Sequence, residues 1–442
     1  MDRITVKFGG SSVADADQFS KVAAIVKADP RRRIIVVSAP GRRHQDEPKI
    51  TDLLYLCCDM AAMGTDIGEP FGIIQSRFTE IADALRLDSA VPELLDSFRQ
   101  DLETGCSRDY AASRGEYFCA RLMAEYLQAE FVDPADHIVI RPNGTVVPQT
   151  YQTLAARFRD QTQRYVMAGF YGRGQDGEVK TFSRGGSDIS GAIAARAAGA
   201  ILYENWTDTS GILMADPRIV GTPRCIDEIS FREVREMSYM GASVFHDEAI
   251  LPVREAAIPI CIKNTNRPHD PGTRIVPRLS QQTLVSTEIA GISGKKPFTM
   301  ISLEKTLMNK EVGFGYRLLG ILRQYNISFE HCPSSIDSIS VIIEASQLDG
   351  LEESVLDDIR RQLAPDHLSI EHDLALLAVV GEGMARTVGI AGKLFDALAR
   401  AGINVRIINQ GASEINIIIG VAEHDYEAAI RAIYAAFVPA TP

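Results

Sequence analysis

An almost unbroken apolar run near the amino terminus constrains the fold most. Residues 33–38 (RIIVVS) lack the alternation of a half-exposed strand, and such runs are typical of strands covered on both faces of a parallel sheet. Residues 3–8 predict a strand before it, and GGSS at 9–12 predicts a loop that leads into a helix. Further strands at 137–140, 165–170 and 201–205 alternate with helical stretches at 51–63, 73–104 and 109–128. The chain therefore predicts an α/β sandwich.

The last third of the chain contains one pattern twice. Residues 303–372 predict a βαββαβ unit, with a strand at 327–332 between its two helices, at 313–325 and 350–363. From residue 374 the same order returns without its last strand. Breaker-rich stretches, NTNRPHDPGT at 264–273 and GISGKKP at 291–297, place the domain boundary between them. We predict domains at 1–290, 303–372 and 373–442, and expect the unassigned strand 298–302 to complete the second repeat.

Charge and composition exclude several classes of function. The 442 residues carry 46 basic and 58 acidic side chains, and the net charge of −12 argues against nucleic acid or an anionic membrane as partner. No apolar run approaches the roughly 18 residues of a membrane span. The first residues lack the pattern of an export signal, and the seven cysteines show neither CxxC pairs nor zinc spacing. We expect a cytoplasmic protein with reduced thiols.

Two common phosphate-binding motifs do not explain this sequence. The GxxxxGK[ST] motif of P-loop proteins is absent from it. Gly172, Gly174 and Gly177 form a GxGxxG, but a second strand pattern follows where a dinucleotide site requires a helix. We predict a hairpin turn at these glycines.

Two other glycine-containing loops carry residues suited to phosphate chemistry. Lys7 lies at the end of a predicted strand, directly before GGSS at 9–12. Exposed amides, a helix dipole and one mobile cation are what a polyphosphate requires. In the second loop Arg184 precedes two glycines, and Asp188 lies at the start of an alanine-rich helix. Arg184 can bind a carboxylate through two parallel hydrogen bonds, whereas Asp188 taken alone is equally explained as a helix cap.

Five motifs in a fixed order resemble the aspartate kinases of the amino acid kinase family. They are KFGGSSVAD at 7–15, SRGEYF at 113–118, FSRGGSD at 182–188, WTDTSGILMADPR at 206–218 and EMSYMGASVFH at 236–246. The resemblance spans nearly the whole chain and implies a three-layer α/β/α kinase domain followed by two ferredoxin-like ACT domains. The implied monofunctional enzyme uses ATP and Mg²⁺ to phosphorylate the β-carboxylate of L-aspartate, the first step of lysine, threonine and methionine biosynthesis.

The resemblance also implies roles for individual residues. Lys7 and Asp188 would be catalytic. The residues implied to bind aspartate are Ser38, Thr51, Glu116, which would receive the α-ammonium group, and Arg184, which would hold the α-carboxylate. The implied ATP-binding residues are Lys7, Gly9, Gly10, Ser11, Thr207, Asp208, Leu213, Arg218 and Ser243, and no metal-ligating side chain is implied. Leu213 and Ser243 stand where many members have tyrosine and lysine, so Arg218, Lys7 or a basic residue within 41–49 is expected to compensate.

The ACT pair implies feedback regulation by an end product, lysine or threonine, that shifts the population toward an inactive state. The candidate effector residues are Met308, Gly313, Phe314, Ser328 and Glu330, although Met308 and Phe314 are equally explained as core residues. ACT domains normally pair across chains, which implies a homodimer. Two other functions stay open: a catalytically lapsed amino-acid sensor, and a kinase for another acceptor such as glutamate.

Overall fold

A computed structural model describes residues 2–183, 185–242 and 247–438, without the side chains of residues 247 and 248. The chain forms two compact units. The first contains the described residues of 1–212, 225–234 and 243–279, and the second contains those of 213–224, 235–242 and 280–442. In these described ranges, no helix has the length and apolar character needed to cross a membrane.

The first unit is built on a large mixed sheet. Its strands are β1 (Ile4–Phe8), β2 (Arg32–Val37), β3 (Glu130–Val132), β4 (Val139–Ile140), β5 (Tyr165–Ala168), β6 (Tyr171–Gly174), β7 (Val179–Thr181), β8 (Leu202–Thr207), β9 (Glu228–Ser230), β10 (Ile260–Asn264) and β11 (Thr273–Val276). Eight strands form the sheet in the order β3-β5-β2-β1-β8-β10-β11-β9, and the first six of these run parallel. All of β1 and the last four residues of β2 are buried, as the apolar run predicts.

Helices follow most of these strands. In chain order up to residue 279 they are α1 (Ala16–Ala28), α2 (Ile50–Ala62), α3 (Gly68–Ala84), α4 (Val91–Thr104), α5 (Arg108–Leu127), α6 (Gln149–Arg157), α7 (Gly186–Ala198), α8 (Pro217–Val220), α9 (Phe231–Tyr239) and α10 (Asp247–Glu255). The helical stretch predicted at 73–104 consists of α3 and α4. The helical pattern is interrupted between them at Arg86, which has a positive φ. Pro92 lies in the first turn of α4.

The side chains of β1 point alternately to the two helical layers that cover the large sheet of the first unit. Ile4, Val6 and Phe8 belong to the hydrophobic core shared with α1–α5, where Phe78 and Phe118 meet edge to face at 5.5 Å. Successive side chains of a strand point to opposite faces, so Lys7 points to the face on which α7 packs. The predicted three-layer arrangement is confirmed.

A small second sheet completes the first unit. It has the order β4-β6-β7, and β6 and β7 form an antiparallel hairpin. Gly172 and Gly174 lie in β6, and Gly177 lies in the turn with a φ of 91°. The predicted hairpin is confirmed.

The second unit is a five-stranded antiparallel sheet with helices. Its strands are β12 (Gly291–Glu304), β13 (Ser338–Glu344), β14 (His367–Val380), β15 (Ile407–Asn409) and β16 (Asn416–Ala422), in the order β13-β12-β14-β16-β15. Its further helices are α11 (Gln281–Ser286), α12 (Phe314–Gln324), α13 (Glu352–Leu363), α14 (Ile390–Arg400) and α15 (Tyr426–Phe437). Short 3₁₀ helices of the chain lie at Gly10–Val13, Pro134–Asp136, Met308–Lys310, Ala345–Leu348, Glu382–Arg386 and Glu423–Asp425.

Residues 298–302, the strand expected to complete the second βαββαβ repeat, belong to the first repeat. Residues 298–302 pair with β13, and on their other side with the first half of β14. Residues 291–295 belong to the breaker-rich stretch 291–297, whose glycines and proline resemble a linker. They pair with the second half of β14 instead. The prediction for 298–302 is therefore wrong, because β12 runs through GISGKKP as one strand. Its register shifts between Lys295 and Phe298, where Pro297 offers no N–H to the ladder.

The prediction of a strand at 327–332 is also wrong. His331 and Ser334 make only isolated bridges to β13, with Ile342 and Ile339. The segment begins directly after α12 at Asn326, which has a positive φ, so the chain turns before it can extend. The predicted helices of this repeat are present as α12 and α13.

Candidate active site

The loops that follow neighbouring parallel strands meet in one cavity of the first unit. Its volume is about 600 Å³, and it lies at the carboxyl ends of β1, β2 and β5, the edge at which open α/β sheets bind ligands. Its lining residues are Lys7, Ser38, Lys49, Thr51, Tyr55, Phe170, Phe182, Ser183, Gly185, Gly186, Ser187 and Asp188. The cavity thus brings together Lys7, Ser38, Thr51 and Asp188, four residues that the sequence singled out.

An ion pair joins the two candidate catalytic residues. The ammonium of Lys7 lies 2.6 Å from the Asp188 carboxylate, and the two side chains are only 9% and 15% exposed. Asn205 donates to the same carboxylate at 2.8 Å. Lys7 and Asn205 are opposite each other in the parallel pair of β1 and β8, so both side chains reach Asp188 from one face of the sheet. Two strands therefore fix the position of one ion pair.

The loop before α7 supports this position. The N-cap of α7 is Gly185, and not Ser187 or Asp188. Gly185 has a φ of 76°, a left-handed conformation that glycine adopts without strain. Asp188 lies in the first turn, where the helix dipole favours a negative charge. The Asp188 side chain is thereby free to bind Lys7.

Glu116 is a buried acid on α5 near the cavity. It is 5% exposed, and its Oε2 has no hydrogen-bond partner among the described residues. Burial raises the pKa of Glu116 to about 8, although the Ala39 amide, the Lys7 ammonium and the Ser187 hydroxyl lie near it and oppose this shift. A cationic ligand group would relieve this burial by pairing with the ionised carboxylate.

Thr51 reaches the cavity through a well-anchored insert. The loop 41–49 folds back at Gly41, whose N–H donates to the Gly10 carbonyl at 2.8 Å. A Cβ on Gly41 would lie 2.6 Å from the Gly10 carbonyl carbon, so only glycine allows this approach. Glu47 of the loop is buried, and it pairs with Arg77 and accepts from Arg43. Thr51 then lies in the first turn of α2.

The candidate ATP-binding residues fall into three groups. Gly9, Gly10 and Ser11 follow β1, Thr207 and Asp208 lie at the end of the adjacent β8, and the Gly9 N–H donates to the Trp206 carbonyl at 2.9 Å. Leu213 and Arg218 belong to the second unit, and of the described ATP-binding candidates Lys7 alone lines this cavity. Arg218 is 88% exposed and pairs with Asp216 at 2.6 Å. Arg184 and Ser243 lie outside the described residues.

The candidate effector residues lie in the first repeat of the second unit. Met308 and Phe314 are buried in its hydrophobic core, which agrees with the alternative interpretation of these two side chains. Gly313 is the N-cap of α12, with a φ of 83°. Ser328 bonds to Gln347, and one buried oxygen of Glu330 has no partner in the described part of the chain.

The second unit also contains a cavity, of about 510 Å³. Its lining residues are Asp216, Arg218, Ile219, Gly241, Gly294, Lys295, Lys296, Pro297, Phe298, Glu344, Tyr426 and Glu427. Tyr426 donates to the Gly294 carbonyl at 2.8 Å, and Lys296 pairs with Glu423 at 3.3 Å. Arg218 and Glu427 pair with near neighbours in sequence, whereas Lys296 pairs with the distant Glu423, and both members of that pair are partly exposed.

Sequence reasoning missed Asn205, Tyr55 and Lys49. Tyr55 follows Thr51 by one helical turn, so the spacing alone could have placed it in the cavity. Asn205 could have been found only from the register of β1 with β8. Lys49 was one of several basic residues in the insert, and no pattern in the sequence distinguishes it from Arg42 or Arg43.

Comparison with known proteins gives the same assignment over the whole length. Residues 2–264 match the amino acid kinase family and residues 377–437 match an ACT domain. Aspartokinase 3 of Bacillus subtilis is 39% identical over 451 residues, and the match covers 98% of both chains.

Solved structures agree with this assignment. The crystal structure of Clostridium acetobutylicum aspartate kinase is 47% identical, has a TM-score of 0.90, and is matched over 99% of this chain and 100% of that chain. Escherichia coli aspartokinase III, solved with aspartate and ADP, is 26% identical with a TM-score of 0.75, and the match covers 98% of this chain and 99% of that one. Its complex with lysine and aspartate has a TM-score of 0.74 at the same identity, over 99% and 100% of the two chains.

Proposed function

This chain belongs to the amino acid kinase family as an aspartate kinase, and we propose that its Lys7–Asp188 cavity is where the phosphoryl group passes from ATP to aspartate. One observation carries the assignment of the site. A buried lysine–aspartate pair is fixed by β1, β8 and α7 at the sheet edge, beside a buried glutamate whose carboxylate lacks a partner on one oxygen.

The transfer needs charge stabilisation more than proton transfer. An oxygen of the aspartate β-carboxylate forms a bond to the γ-phosphorus, the bond from that phosphorus to the bridging oxygen breaks, and its electron pair leaves on ADP. A side-chain carboxylate has a pKa of about 3.9 in water, so it is already ionised and no general base is required. The obstacle is the repulsion between two anions. Lys7 and the amides of Gly9 and Gly10 would offset it, and Asp188 would hold Lys7 in place.

The aspartate head group would be bound by complementary charges. Glu116 would accept the α-ammonium group, and Arg184 would hold the α-carboxylate. Ser38 and Thr51, both lining the cavity, would donate their hydroxyls to the substrate. This arrangement leaves the β-carboxylate to face the phosphoryl group.

We propose MgATP as the nucleotide substrate, with the ion carried by the phosphates. The ADP complex of E. coli aspartokinase III supports the nucleotide. Ser11, Thr207 and Asp208 would contact it near the ends of β1 and β8. For Leu213, Arg218 and Ser243 the support is the resemblance of their motifs.

Trapping of the acyl phosphate tests this function. The protein is incubated with MgATP, L-aspartate and hydroxylamine, and the aspartyl hydroxamate is measured, with L-glutamate as the control acceptor. We expect product with aspartate only, and none from Lys7→Ala. Product with glutamate alone would point to another acceptor, and no product from folded, aspartate-binding protein would point to an amino-acid sensor.

We propose lysine as the feedback effector. E. coli aspartokinase III has been solved with lysine, and Glu330 offers a buried carboxylate oxygen without a partner in the described ranges. Such an oxygen could accept the ammonium of the lysine side chain. Lysine should inhibit the wild type, and Glu330→Gln should require a higher lysine concentration for half inhibition.

We propose a homodimer formed through the regulatory unit. Large apolar side chains of its first repeat are exposed, namely Leu307 (56%), Val312 (99%), Tyr316 (82%) and Ile336 (64%). Such side chains are typical of surfaces that another chain covers. Size-exclusion chromatography with light scattering should give the mass of a dimer at micromolar concentration, and a monomer there would contradict the proposal.

We propose a cytoplasmic location for the enzyme. All seven cysteines are free thiols, and reduced thiols are typical of that compartment. Cell fractionation with an antibody against the chain would test it.

A further inference from the structure

The charges that line the catalytic cavity are unevenly compensated. Its described lining residues include two cations, Lys7 and Lys49, and one anion, Asp188. Lys7 is neutralised by Asp188 at 2.6 Å. Lys49 forms no ion pair with any carboxylate in the described part of the chain. Among the described lining residues, Lys49 is therefore the cation whose charge is available to a ligand.

The backbone of Lys49 is fixed by a hydrogen bond to α2, but its side chain does not cap the helix. Lys49 is the N-cap residue of α2, and its carbonyl accepts from the Leu53 N–H at 3.1 Å. Its side chain makes no capping hydrogen bond. A cap residue is usually Ser, Thr, Asp or Asn, so a lysine at this position does not serve the helix.

The insert that carries Lys49 is anchored at a buried point. Glu47, two residues earlier, is 7% exposed and pairs with Arg77, which is 3% exposed. Arg77 also donates to the Gly41 carbonyl at 2.9 Å. Arg43 donates to Glu47 through its backbone N–H at 2.7 Å and through its guanidinium. The loop is thus fixed at Gly41 and at Glu47, and this positions Lys49 in the cavity wall beside Thr51.

We propose that Lys49 is a second catalytic cation, which contacts the reacting centre where the aspartate carboxylate meets the γ-phosphoryl group. This inference rests on the function proposed above. When the carboxylate oxygen bonds to phosphorus and the bridging oxygen takes the electron pair, negative charge is concentrated at this centre. Lys49 stabilises that charge without giving or taking a proton, and Lys7, already paired, cannot supply the same charge alone.

Four proteins test the inference: the wild type, Lys49→Met, Lys49→Arg and the matched control Arg42→Met. Arg42 lies in the same loop and is exposed like Lys49, but it does not line the cavity. Hydroxamate formation is measured while MgATP and aspartate are varied separately. We expect kcat to fall about 100-fold in Lys49→Met and less than about tenfold in Lys49→Arg. Arg42→Met should stay within about twofold of the wild type, since a solvated charge outside the cavity contributes little.

Each result decides between distinct conclusions. A wild type that makes no hydroxamate contradicts the proposed function itself. An active wild type with Lys49→Met equal to Arg42→Met overturns the role of Lys49, as does a variant that raises KM for aspartate while kcat is unchanged. Thermal melting is measured for every variant, and Lys49→Gln replaces the methionine variant if that one melts early.

Discussion

The two cavities of this molecule are similar in size but differ in how their charges are held. The Lys7–Asp188 cavity, the proposed reaction site, measures about 600 Å³, and the cavity of the second unit measures about 510 Å³. In the first, Lys7 and Asp188 are 181 residues apart in sequence, and both are largely buried. In the second, Arg218 pairs with Asp216 two residues away and remains 88% exposed, and the long-range pair of Lys296 with Glu423 is 42% and 31% exposed.

We infer from this difference that the way charges are paired and buried, and not the volume, distinguishes the proposed reaction site. A pair between distant elements positions its members as rigidly as the sheet itself, and burial strengthens its electrostatic effect on a ligand. A pair between near neighbours in water is screened, contributes little and leaves the side chain mobile. We therefore expect substitutions of lining residues to affect catalysis strongly in the first cavity and weakly in the second.

The largest effect is expected from breaking the ion pair in the Lys7–Asp188 cavity. Lys7→Met should lower kcat by about 10³-fold or more, because it removes the buried cation and leaves Asp188 uncompensated beside an anionic substrate. The matched control is Lys296→Met, which removes a lysine from the lining of the second cavity. Its kcat should stay within about twofold of the wild type. Equal losses in the two variants would contradict the comparison.

A second prediction compares a buried and an exposed carboxylate that bind the same arginine. Arg43 contacts both Glu47, which is 6% exposed, and Glu80, which is 58% exposed. Although burial opposes it, hydrogen bonds from Arg43 and Arg77 lower the pKa of Glu47 to about 2. Glu47→Gln should lower the free energy of unfolding by about 3 kcal/mol, because Arg77 is left buried without its counter-charge.

The control for this prediction is Glu80→Gln, which should cost less than about 1 kcal/mol. Both values are obtained from urea titrations followed by circular dichroism. If Glu80→Gln destabilises as much as Glu47→Gln, burial is not what makes the difference.

Four strands of the large sheet in the first unit were predictable from the sequence, whereas no strand was predicted at β3, β9, β10 or β11. β1, β2 and β5 are short and mostly apolar, β8 is short but contains Glu204 and Asn205, and each of the four is followed by a loop or helix pattern, so local signals agree with the final structure. β12 was not predictable in the same way. Its Gly–Pro interruption resembles a linker, and only hydrogen bonds to β14, some 80 residues later, hold it in one strand.

The residues of the candidate site likewise divide into those that a local motif predicted and those that depend on distant contacts. The resemblance of motifs predicted Lys7, Asp188 and Glu116, and the geometry brings Lys7 and Asp188 within 2.6 Å of each other. Asn205 and Lys49 depend on contacts that no local pattern encodes. One requires the register of two strands, and the other requires the buried pair of Glu47 with Arg77, 30 residues further along the chain.

A third prediction uses the opposite pKa shifts of two acids. Burial raises the pKa of Glu116 to about 8, whereas the hydrogen bond from Arg218 lowers the pKa of Asp216. If Glu116 binds the α-ammonium group as an anion, aspartate affinity should rise with pH, since binding must release the proton. The dissociation constant should fall by about 50-fold between pH 6 and pH 8.

Calorimetric titration with aspartate at several pH values measures this change. Buffers of different ionisation enthalpy should reveal release of about one proton per aspartate bound near pH 7. Asp216→Asn should leave the pH profile as it is, because the lowered pKa of Asp216 lies below this range. A dissociation constant that does not change between pH 6 and pH 8 would show that Glu116 is not the ammonium ligand.

The smallest expected effect belongs to the second cavity. Tyr426 donates to the Gly294 carbonyl at 2.8 Å, and a Cβ on Gly294 would lie 2.7 Å from its ring, so the phenol packs directly on β12. Tyr426→Phe should lower the stability of the second unit by about 1 kcal/mol, the net value of one partly buried hydrogen bond, with kcat within about twofold of the wild type. A loss of kcat in Tyr426→Phe comparable to that of Lys7→Met would mean that a cavity bounded by partly exposed charges also takes part in the reaction, and the distinction between the two cavities would fail.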